Sequence, residues 1–567
     1  MRRSVFTVAA LAVALGLVLP ASAGDAGRLD ADQYFLVLYA DGASLGDGRA
    51  AVAAAGGTIR AENEAIGLAE VVSSNPAFLD DVRAQQAVKG AARDRSIATV
   101  RPGMGHRFAD EFLLEERVAS RPHSGGPAVK PAPGTDPLSG YQWDMRMIGA
   151  QDADGRPALS ERGDGVLVGI IDTGIDGTHA DIAPNFSNAL SRNFTVDLPG
   201  IDGPCEYGDC VDPANVDHNS HGTHVAGTVA SPENGVGITG VAPEATLVNV
   251  RAGQDSGFFF LGPTVDALTY SAAVGIDVVN MSFFVDPWLY NCPSAGDYVS
   301  APEGKPTAEE LAEQRMIYDA MHEALAIAHA AGVTLVAAAG NGHFDLDAPL
   351  RPDDISPDFP DGAAYPRTVT DDCLDLPSEG PNVISVSAVG PSGIKADYSN
   401  YGVSEITVGA PGGYFRDFFG TKLFRSALNE VWAPYPELVA RAFGEVTQGG
   451  GVPNNEFVLR SCTKDVGCSY YQGIQGTSMA APHVTGVAAL VIGALGGDAD
   501  PALVRDIIED SAADHACPVP ATVDYTIVGR PASWNATCTG TPTLNNFYGN
   551  GLVDADAAVA LAETLLP

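Results

Sequence analysis

The sequence predicts an α/β protein, a doubly wound parallel sheet preceded by a small α/β unit. Three observations predict it. Beyond residue 140, unbroken apolar runs at 166–171, 246–250, 276–279, 333–338 and 383–389 alternate with helix-like segments such as 265–274 and 308–331. Strands buried on both faces of a parallel sheet read in this way. Near the start, 33–39 is strand-like, 48–55 helix-like and 68–73 strand-like again, with Pro76 in the first turn of a helix running to 86. Between the two regions, 101–136 carries Gly125-Gly126-Pro127 and Pro131-Ala132-Pro133 with few periodic apolar positions, the marks of an exposed linker.

Taken in order, residues 1–23 read as an export signal. Arg2 and Arg3 precede an apolar stretch at 5–20, and Ala21-Ser22-Ala23 forms a small-residue cleavage site. The expected divisions are then 24–100, a small α/β unit, 101–136, a linker, and 137–567, the main domain. No later apolar run is long enough to cross a bilayer; the best, 484–495, falls short. The net charge of −39 repels phosphate backbones and anionic lipid, so neither nucleic acid nor membrane is an expected partner. The eight cysteines lack metal-finger spacing and are even in number, which in an exported chain reads as four disulfides. Short separations suggest Cys205–Cys210, Cys462–Cys468 and Cys517–Cys538, leaving Cys292–Cys373. Segments 342–381 and 412–472 read as insertions.

Three segments of the main domain carry the chemistry. In IIDTGIDGTHAD (170–181), Asp172 closes a buried strand, where an open parallel sheet places its crevice. NSHGTHVAGTVA (219–230) suits a closely packed helix beginning near His221. In QGTSMAAPHVTGVAAL (475–490) a glycine turn leads into a helix with Pro482 expected in its first turn, and Ser478 sits at the positive helix end. Singly, these residues are a strand-end turn former, a helix-start histidine and a cap. Together they are not.

On these segments the chain resembles the subtilisin-like serine peptidases, the subtilases, from about Gln142 to Asn550, in the chain order Asp, His, Ser. The resemblance implies a secreted endopeptidase in which Ser478 attacks a peptide carbonyl, His221 carries its proton and Asp172 orients the imidazole. It implies that the Asn341 amide, in LVAAAGNG (335–342), and the Ser478 N–H stabilise the oxyanion. His224 and His483 are left as packing residues. Ser282, Phe283 and Phe284, with Ala338, Ala339 and Gly340, would hold the substrate, the strand VVNMS (278–282) pairing with it as an added strand. The 24–100 unit is similar to the family's inhibitory, ferredoxin-like propeptide, so a self-processing zymogen is expected.

No cofactor is implied for catalysis, but a structural calcium is: Asp181 and Asn234 with the carbonyls of Pro232, Val236 and Ile238, and Gln142 as a further ligand. Protein or peptide substrates and the chain's own propeptide are the expected partners, in a monomer. The sequence departs from the family at Phe283-Phe284, where a small aliphatic residue and glycine are usual. A ring at 284 aimed into the cleft narrows the pocket and favours small or flat apolar residues before the scissile bond, the orientation expected here; one aimed away leaves specificity broad. Four formal glycosylation sequons occur, at Asn185, Asn193, Asn280 and Asn535, and the first strand-buried one, Asn280, is expected to be hidden. A catalytically inactive binding protein would need a lost triad member, and none is lost. A relative with a carboxylate base is disfavoured by His221 within its full segment.

Overall fold

The computed structural model describes residues 33–94 and 133–566, apart from 361, 454 and 466. The expected signal and nearly all of the linker lie outside them.

The small unit is a four-stranded antiparallel sheet backed by two helices. Its strands are β1 (Gln33–Tyr39), β2 (Thr58–Asn63), β3 (Leu68–Ser73) and β4 (Val88–Arg93), in the order β2-β3-β1-β4. Its helices are α1 (Leu45–Ala54), capped by the Ser44 hydroxyl on the Asp47 N–H, and α2 (Phe78–Arg83). The second helix is shorter than its pattern suggested, and β2 and β4 had no clear signature.

The main sheet has seven parallel strands. They are β5 (Leu167–Ile171), β6 (Arg192–Asn193), β7 (Thr246–Arg251), β8 (Val278–Met281), β9 (Thr334–Ala338), β10 (Val383–Val389) and β11 (Val408–Pro411), in the order β11-β10-β9-β8-β5-β7-β6. The five apolar runs read from the sequence are five of these. The third begins two residues later than its pattern, because Asp277 caps Leu167 across the sheet instead of entering a strand. Helices α3 (His221–Ala230), α4 (Leu261–Val274), α5 (Ala308–Ala330) and α6 (Thr477–Ala494) cover the sheet. Helix α6 runs through the largest buried apolar cluster. It is long and apolar enough to cross a membrane by length and composition, yet 83% of it is buried in the fold.

The insertions fold against this frame. Residues 412–472 supply most of an antiparallel sheet of Val431–Tyr435, Val458–Thr463 and Gly467–Ile474. It reaches α3 through hydrogen-bond contact of the His224 ring with the carbonyls of Val431 and Gln472. Residues 342–381 pair Leu350–Asp353 with Arg367–Thr370, which continues to Tyr298–Ser300. The four disulfides are Cys205–Cys210, Cys292–Cys373, Cys462–Cys468 and Cys517–Cys538, the pairing expected.

Candidate active site

The carboxyl ends of β5, β8 and β9 open a crevice, where open α/β sheets bind ligands. Asp172 follows β5 directly and is wholly buried. Its Oδ1 accepts the Thr173 N–H at 2.7 Å and lies 2.8 Å from His221 Nδ1; Oδ2 lies 3.0 Å from the same nitrogen. His221 reaches it because α3 packs tightly on the strand end. A Cβ at Gly222 would meet the Gly174 carbonyl at 2.2 Å and the Asp172 Cβ at 3.0 Å, so only glycine fits. Burial lowers the His221 pKa, but the Asp172 charge and hydrogen bond outweigh it, and the net shift is upward. The imidazole thereby has its Nδ1–H fixed on Asp172 and its other nitrogen left to accept a proton.

Ser478 is the second residue of α6, half-buried, where helix N–H groups have no partner within the helix. Pro482 is not in the first turn, as expected, but inside the helix. Lacking an N–H, it leaves the Ser478 carbonyl without its helical donor. The Ser282 hydroxyl supplies one at 3.2 Å, and the Ser478 hydroxyl faces the Ser282 carbonyl at 3.4 Å. The proline thus ties the end of β8 to the serine.

Asn341 follows β9 by three residues. Its Oδ1 accepts from the Thr477 N–H and hydroxyl, each at 2.9 Å, and that same hydroxyl accepts the Gly340 N–H at 3.1 Å. With its oxygen held twice, the side chain presents its Nδ2–H outward. A Cβ on Gly476 would sit 3.6 Å from both Asn341 Nδ2 and the Ser478 backbone nitrogen. The absent side chain therefore leaves open the space between two donors, a place for an oxyanion. Thr477, which aims the amide, was missed in the sequence because a Thr at a helix start reads as a cap.

The six expected substrate residues surround the crevice unequally. Ser282 and Gly340 flank Ser478 and Thr477 as described. Ala338 and Ala339 are buried, the Ala339 N–H and carbonyl taken by Val386 and the Asn400 amide. Phe283 stacks on Phe259, centroids 4.1 Å apart, and half-buried Phe284 packs against the cluster of Leu289, Tyr290 and Cys292.

One residue the sequence did not flag lies at the base of the crevice. Asp375 is buried, and its Oδ2 is 3.3 Å from where a Gly340 Cβ would stand. The next residue, Leu376, accepts the Val285 N–H at 2.9 Å, which closes the floor between the ends of β8 and β9. No described hydrogen bond or ion pair reaches the Asp375 carboxylate. Arg351 is committed to Glu379, at 2.7 Å. Burial, then Glu379, push the Asp375 pKa well up. The buried Tyr290 hydroxyl and Glu379 Oε1 also lack partners.

His224 and His483 sit in the core as expected. Buried His224 is held near pKa 3 by desolvation, and His483 joins the Met479 carbonyl at 2.8 Å and Asp144 at 3.0 Å. Asn280 is fully buried, its side chain bonded to Ser282 and Thr485.

At the expected calcium loop, Asp181 Oδ2 accepts the Ile238 N–H at 3.0 Å and the Tyr471 hydroxyl at 2.8 Å, while its buried Oδ1 has no partner. Asn234 Oδ1 accepts the Val236 N–H at 2.8 Å. Gln142 Oε1 accepts from Thr239 at 3.1 Å and Gln151 at 3.0 Å. A second buried carboxylate, Asp136, takes the Gly235 N–H at 2.6 Å and the Thr239 hydroxyl. Burial first, then neighbouring acids, raise Asp136 to about 6 and Asp181 to about 7. No basic side chain bonds either carboxylate among the described residues. An oxygen-only set with two uncompensated carboxylates fits a hard cation.

A helix-borne serine, a histidine seated on a buried aspartate and an aimed amide, all at strand ends, mark a serine hydrolase. The subtilase family model matches residues 163–551. The chain is 26% identical over 340 residues to Subtilisin DY of Bacillus licheniformis, covering 60% of this chain and 81% of that protein. It is 28% identical over 385 residues to Fervidolysin of Fervidobacterium pennivorans, covering 66% and 41%. The solved epidermin leader peptide processing serine protease of Staphylococcus aureus shares the fold at a TM-score of 0.58 and 20% identity, over 94% of this chain and all of that one. The crystal structure of fervidolysin gives 0.55 and 22%, over 93% and 61%. The chain belongs to the subtilase family. It is a serine endopeptidase that acts on peptide substrates.

Proposed function

We propose that the chain is an exported zymogen whose Ser478 forms an acyl-enzyme, with His221 as base, Asp172 as its orienting partner, and Asn341 with the Ser478 N–H as oxyanion donors. The observation that carries this reading is the seating of His221 Nδ1 on Asp172, 2.8 Å away, with the other ring nitrogen left to accept the serine proton. Four disulfides support export. The docking of the small unit supports the zymogen: Asn63 bonds Asp266 and Thr269, each at 2.7 Å, and Arg93 pairs with Glu309 at 2.5 Å. A fluorophosphonate should label the wild type near pH 8 and leave Ser478→Ala unlabelled. That variant should persist as an uncut precursor carrying the 33–94 unit. Labelling of the variant, or its normal maturation without added protease, overturns the reading.

Specificity follows from the floor of the crevice. A buried carboxylate without a partner receives a cation, so the residue before the scissile bond is lysine or arginine. Phe284, packed on its own cluster, is then a wall of the pocket and Asp375 its selector. The Asp181 loop holds calcium through Asp181, Asn234 and the carbonyls of Pro232, Val236 and Ile238, with Asp136 supplying further negative charge.

A further inference from the structure

Residues 196–212, which lie between the Asp172 and His221 segments, carry a second group of acids that the peptidase chemistry does not use. Asp197 and Glu206 lie in this segment and Asp255 follows β7, and each offers a carboxylate oxygen within 4.8 Å of the others. Asp197 is 2% exposed, and neither of its side-chain oxygens has a hydrogen-bond partner among the described residues.

The basic groups nearby are already committed. Arg251 bonds Asp212 Oδ2 and Asp255 Oδ1, each at 2.7 Å. His218 Nδ1 lies 3.0 Å from Asp212 and 3.4 Å from Asp255. Asp202, the fifth acid, is satisfied by the Leu198 N–H at 2.6 Å and by the Ser256 N–H and hydroxyl. Of these five carboxylates Asp212 and Asp255 hold the two cations and Asp202 has neutral donors, so among the described residues Asp197 and Glu206 are left without either. Burying a bare carboxylate this far from water is costly unless a cation meets it.

We propose that Asp197, Glu206 and Asp255 bind a calcium ion, separate from the Asp181 loop and independent of the catalytic reading. The ligands are hard oxygens, and lying within 4.8 Å of one another they are close enough for one calcium ion to reach all three. Glu206 lies in the loop closed by Cys205–Cys210 and is exposed, so it can swing onto the ion while Asp197 and Asp255 form a fixed floor. The competing set of Glu206, Asp212 and His218 would suit a transition metal, but its His218 Nδ1 is already bonded to Asp212 Oδ2, whereas both oxygens of Asp197 are open among the described residues.

The ion would brace the active site from behind. The Asp255 carbonyl accepts the Asn219 amide at 2.9 Å, and the Asn219 side chain in turn accepts the His221 N–H at 3.2 Å. Three residues before Asp255, the Ala252 N–H bonds the Asp172 carbonyl at 3.2 Å.

The test uses the full chain carrying Ser478→Ala, which cannot digest itself, stripped with chelator and titrated with calcium chloride by calorimetry. Adding Glu206→Gln, an exposed change that leaves the fold intact, should weaken one calcium-binding event tenfold or more. Asp197→Asn should abolish that event, and Asp181→Ala should leave it in place. Calcium should also slow cleavage within 196–212 by an added protease in the parent and not in Asp197→Asn. Equal calcium stoichiometry and affinity in the parent and Glu206→Gln would overturn the proposal. So would zinc binding that displaces calcium and is lost in His218→Ala.

Discussion

The crevice and the 196–212 segment both bury aspartates near one another in the chain, yet they treat them in opposite ways. In the crevice, Asp172 spends its oxygens on the Thr173 N–H and the His221 ring. In the 196–212 segment, Asp197 spends neither oxygen on any of the described residues. A saturated carboxylate fixes a geometry, here the tautomer and direction of an imidazole. An unsaturated one is a receptor, and what it receives must come from outside. Asp375 is of the second kind although it stands within the crevice, so the division follows chemistry and not location.

The sharpest way to break the comparison is to desaturate the saturated site. Asp172→Asn keeps the shape but donates where it should accept, so the imidazole turns to the wrong tautomer. By the known effect of this change in another serine peptidase, kcat should fall about 10⁴-fold. The acidic limb of kcat/KM should also move. Asp172 raises the His221 pKa, activity is lost as pH falls through that raised value, and removing the carboxylate should shift the limb to lower pH. Asn341→Ala, by contrast, should cost about 10²–10³ in kcat at nearly constant KM, the loss measured for the corresponding donor in subtilisin. An unchanged acidic limb in Asp172→Asn would mean that His221 is not the titrating base.

The next test concerns the receptor in the crevice. Asp375→Asn should lower kcat/KM for substrates with arginine or lysine before the scissile bond by roughly 10- to 100-fold. That corresponds to a charged hydrogen bond of about 1.5–3 kcal/mol. Substrates with phenylalanine there should be little affected. A parent enzyme that shows no preference for basic residues removes Asp375 from the pocket.

These differences also explain what could be read in advance. The five apolar runs and the triad segments were legible because each is local. A buried parallel strand declares itself over six residues, and the surroundings of Ser478 and His221 are set by the glycines and small residues beside them. Pro482 was placed a few residues too close to the helix start, since only the fold reveals that its missing N–H is answered by Ser282. Asp375, Asp136 and Asp197 were not legible at all. Each is one of many acids in a chain of net charge −39; what singles out Asp197 is the lack of a partner among the described residues, and what singles out Asp136 and Asp375 is their burial with no basic group bonded to them. The sheet at 431–474 was hidden likewise, because its strands pair within an insertion and carry short, interrupted patterns.

A half-buried acid on the docking face of the small unit gives the smallest effect. Glu70 on β3 faces α4, its Oε1 3.1 Å from where a Gly262 Cβ would stand. Burial first, then Asp94 and Asp266, raise its pKa to about 7, with Arg60 opposing; Asp266 itself is raised to about 6. The folded, docked state therefore holds a proton that the unfolded chain releases near the ordinary glutamate value of 4.5. Between those values the native state binds more protons, so its stability is fully present below about 4.5 and declines as pH rises to about 7. Above that it levels off. The full chain carrying Ser478→Ala should thus lose about 1–3 kcal/mol from this group between pH 5 and 8, read as a fall of a few degrees in the melting temperature. Glu70→Gln, which cannot ionise, should flatten that part of the profile and be the more stable protein at pH 8. If the two chains show parallel melting curves across the range, Glu70 is ionised in the docked state and Arg60 has taken its charge.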